Sequence, residues 1–295
     1  MCGVFNSFSK KNIKRMNLAE ERVEHIIMSI MGFFIFLLYT IIIFVLLSSS
    51  RLREKKSNQL LLNLSIGHLM TGLSHFAGLW TTFRVGKLIF VSIIYANISL
   101  TMLIVDRCIY ILRPLRYQLL HRGWHVLFMS ISPAFASALL AQYCYLGFND
   151  PIHKDSLTTY PFIFFVFVIT GLMFIPSVVV FRIAHKQRSR IAPLRRPHVV
   201  HNLTPGVATK DVSRIVEIRS FYVCFGCVTT YLVLWSPALG MRLWEIVLGL
   251  EMQYTYLAIS VAIATLNPFS DAFICVWFNK ELKKKLRSIV RKSYV

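Results

Sequence analysis

Apolar residues along this chain fall into seven long runs separated by short polar stretches. The runs are Ile26 to Leu47, Gln59 to about Trp80, about Leu88 to Leu112, Trp124 to Leu146, Tyr160 to about Ala184, Phe221 to about Leu243, and Met252 to Val276. Crossing the hydrocarbon of a bilayer takes about 20 predominantly apolar residues, and each run reaches that length. Backbone polar groups in lipid must be paired within the segment, so the pattern predicts helices. The runs are continuous, unlike the alternating segments of about ten residues that build an outer-membrane β-barrel. The expected fold is an all-α membrane protein, a seven-transmembrane helix bundle with a C-terminal amphipathic helix. Residues 1–25 read as an external N-terminal tail, 26–276 as the bundle, and 277–295 as a cytoplasmic amphipathic helix and tail.

Pro133, Pro176, Pro237 and Pro268 sit inside apolar runs. In a water-exposed helix each is a costly break, whereas a membrane bundle re-satisfies the freed carbonyls through neighbouring helices and trapped water. After the seventh run, Phe278, Leu282, Leu286 and Ile289 recur at helical spacing, with Lys280, Lys283, Lys284 and Arg287 between them. That pattern predicts an amphipathic helix along an anionic inner leaflet; a plain solvated run of charge is the other reading. The stretch from about His185 to Ser220 carries many bases with Pro193, Pro197, Pro205 and Gly206, and reads as a solvated cytoplasmic loop.

Composition strengthens the membrane reading. The chain is 56% hydrophobic and 16% charged, against about 25% charged in ordinary soluble domains. The net charge of +20 raises nucleic-acid binding, but the bases cluster between apolar runs rather than on one soluble face. With the N-terminus outside, only Arg84, Lys87, Lys154 and Arg242 fall in external loops, and most of the 33 Lys and Arg lie inside. The positive-inside rule therefore orients the bundle and accounts for the charge without nucleic acid. The N-terminal Lys10, Lys11, Lys14 and Arg15 oppose this across the first run, so the later loops decide the orientation. Residues 1–25 are too polar for a cleavable signal, so the first span is expected to serve as its own insertion signal. Asn63 and Asn97 fall within spans and Asn202 in a cytoplasmic loop, so no glycosylation is expected. The six cysteines (Cys2, Cys108, Cys144, Cys224, Cys227 and Cys275) lack zinc-site spacing, and Cys224 and Cys227 lie in an apolar run where packing is the simpler role. No metal, cofactor or enzymatic constellation is expected.

Several motifs, each weak alone, fall in order on successive runs. The third run ends "LIVDRCIYILRPL", with Asp106 and Arg107 adjacent; the second holds "NLSIGHLMTGL"; the sixth holds "YLVLWSP" with Tyr231, Trp235 and Pro237; the seventh holds "NPFSD" with Asn267, Pro268 and Asp271; the fifth carries Pro176. Together these resemble the rhodopsin-like (class A) G-protein-coupled receptors, over about residues 26–291. The resemblance implies a multi-pass plasma-membrane receptor that couples to a heterotrimeric G protein. It implies a switch in which Arg107, held by Asp106 and by Glu217 at the inner end of the sixth span, is released when the inner mouth opens. Without that switch, Asp106 and Arg107 simply mark the water interface. Trp235 and Pro237 are implied as a hinge, with Tyr231 standing where the family has Phe, or as plain packing, and Asn267 and Pro268 as softening the seventh span.

The departures from the family pattern are specific. Cys108 stands where the Asp-Arg motif usually ends in Tyr, Asp271 replaces the seventh-span Tyr, and Ala184 matches a fifth-span Tyr. His68 occupies the place of the family's sodium-binding Asp, with Ala96 and Ala264 matching its polar helpers. An imidazole without carboxylates is a poor sodium site, so no sodium effect is expected; His68 reads either as a packed, hydrogen-bonded ring or as a proton-sensitive one. The family's external disulfide has no evident pair. The interval from His68 to Arg107 is short for two spans and a loop. A ligand pocket is expected between the outer halves of the third, fifth, sixth and seventh spans, lined by Ile89, Phe90, Ile93, Ile94, Ala238, Leu239, Leu257 and Ser260, with Arg242 at its rim. No Asp is present to anchor an amine, so the expected partner is an apolar, small-molecule or lipid-like ligand, with a short peptide still open. The rival class is a non-signalling seven-helix scaffold with degenerate activation motifs. A transporter reading lacks an internal repeat and a path of buried charge.

Overall fold

The computed structural model describes residues 2–77, 85–112, 124–148, 168–179, 181–183, 205–248 and 254–293. These residues are almost wholly helical, with no strand among them. In chain order the helices are α1 (Cys2–Leu47), α2 (Ser50–Glu54), α3 (Lys56–Ala77), α4 (Val85–Leu112) and α5 (Trp124–Phe148). Next comes α6, helical over 168–179 and 181–183, then α7 (Pro205–Leu248), α8 (Tyr254–Ala264), α9 (Asn267–Phe278) and α10 (Lys280–Ser293). Among the described residues, three helical stretches are long and apolar enough to cross a membrane: His25–Leu47, Val91–Ile109 and Ile259–Phe278. Leu127–Leu139, Val168–Ile183 and Phe225–Met241 are shorter apolar helical stretches.

The outward faces are apolar and the interior carries polar side chains. Phe34, Phe44, Phe128, Phe135, Ile175 and Phe273 are exposed, while Ser65, Asn97, Asp106, Arg107, Asn267 and Asp271 are buried. In water an exposed apolar belt of this kind invites association. Against lipid tails it is the favourable surface, and buried polar groups then pair with one another across helices.

α1 packs along α3, and α3 along α4. Glycines permit the close approach. A Cβ on Gly32 would lie 2.7 Å from the Phe76 backbone N, and one on Gly72 would lie 2.6 Å from that of Phe36. Gly67 meets α4 in the same way, 2.9 Å from the Ala96 Cα. α7 lies against α4, α8 and α9. The charged segment ahead of Ile26, expected as a tail, is continuous with the first span as helix. At 46 residues α1 is roughly 69 Å long at 1.5 Å per residue, well over twice the hydrocarbon thickness. The 44 residues of α7 likewise exceed one crossing, so the loop expected up to Ser220 becomes helical from Pro205.

The run expected as the seventh span is two helices, α8 and α9, joined by a turn at 265–266. Pro268 has no N–H for the Ala264 carbonyl, which breaks the ladder there. The break places Asn267 and Asp271 on a fresh first turn of α9. After α9, the Asn279 side-chain oxygen accepts the Leu282 N–H at 3.1 Å and caps α10. Leu282 is buried, and Leu286 and Ile289 also pack onto the bundle core. The apolar face of the tail helix thus meets protein. Lys55, between α2 and α3, pairs with Glu281 at 2.6 Å.

Candidate functional site

Asp106 and Arg107 sit near the end of α4, 1% and 4% exposed. Their closest approach is 3.4 Å, from Arg107 Nη2 to Asp106 Oδ2. Neighbours in a helix point to different sides, so the long guanidinium stem must fold back to reach the acid. The charge is thus inside the bundle and partnered, as a charge at a helix end beside hydrocarbon must be. α4 packs against α7, the helix that carries Glu217. The Glu217 side chain lies outside the described residues.

A second polar cluster joins three helices. His68 on α3 places Nε2 3.1 Å from Asp271 Oδ2 on α9, with side chains 5% and 1% exposed. The Asn267 amide donates to the same carboxylate oxygen at 3.1 Å. Tyr39 on α1 donates from its hydroxyl to the Pro268 carbonyl at 2.8 Å. Its ring lies 4.9 Å from the imidazole, centroid to centroid. An ionised Asp271 only accepts, so His68 Nε2 carries the hydrogen that faces it. The sequence pattern set no carboxylate beside His68; the fold corrects this by bringing Asp271 across from α9. The two departures, acid to imidazole at 68 and phenol to acid at 271, are one exchange of partners. Tyr39, which the motifs did not single out, contributes a phenol from the first span.

Beside this cluster, and lined in part by it, is a cavity of about 100 Å³. One water needs roughly 10–15 Å³ on this measure, so the space suits several waters or a small molecule. Its wall is mostly apolar and includes Ile35, Ile89, Ile93, Val261 and Trp235. Its polar positions are His68, Thr71, His75, Asn97, Thr265 and Asn267. His75 follows His68 by seven residues, two turns along one face of α3. That spacing was the available signal for it, and Thr71 and Asn97 carried none.

The expected pocket residues divide. Ile89 and Ile93 line this cavity beside Trp235, whereas Ile94 is buried in the core at 1% exposure. Ser260 and Pro237 line a separate, more open groove between α7 and α8. Ala238 is buried and Leu239 half-buried. The side chains of Phe90, Arg242 and Leu257 lie outside the described residues. The cavity draws on α1, α3, α4, α7, α8 and α9, so among the described residues its centre is nearer the first and second spans than the motifs implied. Pro176 on α6 is half-buried. Tyr231 is fully buried, with its ring 5.7 Å from that of Trp235 and tilted 31° to it.

Cys108, Cys227 and Cys275 are buried and in no disulfide. The other three cysteines lie outside the described side chains. No group of three or more His, Cys, Asp or Glu among the described residues is arranged to hold a metal. A scan against models of known protein families finds no match to this chain, and a search of curated proteins finds none either.

Proposed function

We propose that this chain is a seven-span receptor of the rhodopsin-like type, which binds a ligand between its helices and signals through a heterotrimeric G protein at the inner face of the plasma membrane. The observation that carries the reading is the buried Asp106–Arg107 pair near the end of a membrane-length helix, with α7 packed alongside. Burying a guanidinium costs several kcal/mol unless it is partnered, so the pair marks a position where charge is used rather than tolerated. Arg107 is held by Asp106 and Glu217 while the inner mouth is closed. Outward movement of α7 frees it for a partner helix, and ligand and G protein bias the same two packings from opposite sides.

The test is a cell assay with a panel of chimeric G proteins. Glu217→Ala should raise basal signalling at equal surface expression, and Arg107→Ala should lower it. An unchanged baseline in both variants would remove the switch. The scaffold reading is favoured by one observation, the direct tie from His68 to Asp271, which locks α3 to α9 where the resemblance implies a mobile seventh span. It gains if surface-expressed protein, and the His68→Leu/Asp271→Leu double variant with the tie removed, activate no G protein in the panel.

A further inference from the structure

His75 is a placed residue with nothing to bind. It is 7% exposed and lines the cavity beside the His68 cluster. Its carbonyl accepts a 3.0 Å hydrogen bond from the Ser29 hydroxyl of α1, itself 2% exposed. Its Cβ lies over Gly32, where a methyl group would sit 2.6 Å away. α1 therefore fixes the imidazole from two sides, yet Nε2 has no hydrogen-bond partner among the described residues. Asn267 Oδ1, on another residue of the same cavity, is likewise buried and unpaired among them. A buried polar atom left unpaired carries its full desolvation penalty. Two such atoms around one largely apolar cavity describe a receptacle for a small molecule with a polar head and a hydrocarbon body.

We propose that this cavity binds a short-chain carboxylic acid, its carboxyl sharing a proton with His75 Nε2 and its alkyl chain lying along Ile35, Ile89 and Ile93 towards Trp235. The inference rests on the receptor reading and deepens it by naming the ligand class. Charge decides between candidate heads. No carboxylate is among the described residues that line the cavity, and Oδ2 of Asp271 beyond it already takes the contacts of His68 and Asn267. An ammonium would enter without a counter-charge, which a desolvated site penalises heavily. A carboxylic acid brings its own proton, so acid and imidazole together remain neutral overall whichever one holds it. An alcohol satisfies Nε2 through a neutral hydrogen bond alone, about half as strong as the charge-assisted one. Size limits the chain, because a dry cavity of about 150 Å³ elsewhere accommodates benzene, and at about 100 Å³ this one suits an acid of roughly two to four carbons.

The experiment uses the full chain in lipid nanodiscs and radiolabelled butanoic acid, competed with unlabelled acetic to octanoic acids, butan-1-ol, methyl butanoate and butylamine. The expected result is displaceable binding that butan-1-ol and the ester compete for roughly tenfold more weakly than butanoic acid, with octanoic acid too long to compete. His75→Leu should weaken acid binding at least tenfold, His75→Gln by less, and Ile93→Trp should abolish it by filling the space. Should His75→Leu not fold, His75→Gln and Ile93→Trp carry the comparison. Equal competition by acid, alcohol and ester, undiminished acid binding in the folded variants, or no displaceable binding in folded wild type would each overturn the site. Binding in nanodiscs requires no G protein, so the two readings separate. Specific acid binding with a silent Glu217→Ala and Arg107→Ala assay removes the receptor reading alone, and signalling without acid binding removes this one alone.

Discussion

The buried contact between His68 and Asp271 sets a residue-level test of how polar groups are tolerated in this bundle. Each partner is desolvated, and each is held in place by other groups: Asn267 on the acid and the Tyr39 ring against the imidazole. Removing one member of a buried pair strands the other, at a cost of about 3–5 kcal/mol, whereas replacing both with apolar residues of similar volume is near neutral. His68→Leu and Asp271→Leu should therefore each lower stability by about 3 kcal/mol, with most of the loss recovered in the double variant. Chemical denaturation in detergent micelles, analysed as a double-mutant cycle, reads the coupling directly; additive losses would mean that the two side chains do not act as a pair. Tyr39→Phe removes one neutral hydrogen bond and should cost about 1 kcal/mol. The sequence predicts no sodium effect for want of a carboxylate beside His68; Asp271 supplies one, whose Oδ2 already takes two hydrogen bonds. Replacing sodium with choline should leave the unfolding midpoint of the wild type unchanged. Sequence pattern made 68 and 271 visible as separate anomalies but not as partners, because their meeting depends on how α3 and α9 pack, which no local periodicity encodes.

Helix contacts here depend on small residues, and the glycines separate into two kinds. Gly32 and Gly72 face backbone atoms that cannot yield, at 2.6–2.9 Å from a would-be Cβ. Gly171 and Gly240 have nothing within 4 Å. Gly72→Ala should thus force α1 from α3 and destabilise by about 1–3 kcal/mol, as overpacking does. Gly240→Ala, in the open on α7, should stabilise by about 0.5–1 kcal/mol through lower backbone entropy in the unfolded chain. Thermal unfolding of the two variants side by side checks this, and equal effects of the same sign would show that α1 and α3 do not cross at those glycines. Element existence was legible in the sequence because long apolar runs and buried prolines leave few alternatives in lipid. Pro268 marked the seventh-span break, and the spacing of Leu282, Leu286 and Ile289 marked α10. Element ends were not legible. The charged residues before Ile26 lack a stop signal for α1, and helix continues through them since nothing in Lys10 to Arg22 opposes it except charge. The cavity was half legible: Ile89, Ile93 and Trp235 came from motif positions, but His75 belongs to it only because Ser29 and Gly32 fix its place from another helix.

At the scale of the whole molecule, charge asymmetry and tail packing bear on the same question of orientation. α10 is tied to the segment between α2 and α3 by Lys55–Glu281 and by the Asn279–Asn58 amide contact at 3.3 Å. Lys283 sits 4.2 Å above the Trp277 ring. These contacts place the basic segment at Arg51–Lys56 and the basic tail at one end of the bundle, so a single side must accommodate both. Anionic lipid attracts juxtamembrane bases by about 1 kcal/mol each near the surface, which favours the cytoplasmic leaflet for that end. Lys10, Lys11, Lys14 and Arg15, borne on the same long α1, are then left on the opposite side against the rule for positive charge. Combined bases at 51–56 and 280–292 outnumber them, and the orientation with the N-terminus outside should prevail. An Asn-x-Thr acceptor introduced near residue 5 should be glycosylated in microsomes and one introduced after residue 293 should not. Lys280, Lys283, Lys284 and Lys285 changed together to Gln should produce a mixed population, because the bases at 51–56 already balance those at 10–15 and the tail then adds only Arg287, Arg291 and Lys292. A tail acceptor glycosylated in the wild type would invert the bundle, bring Arg107 to the external face, and leave the proposed switch with no G protein to meet.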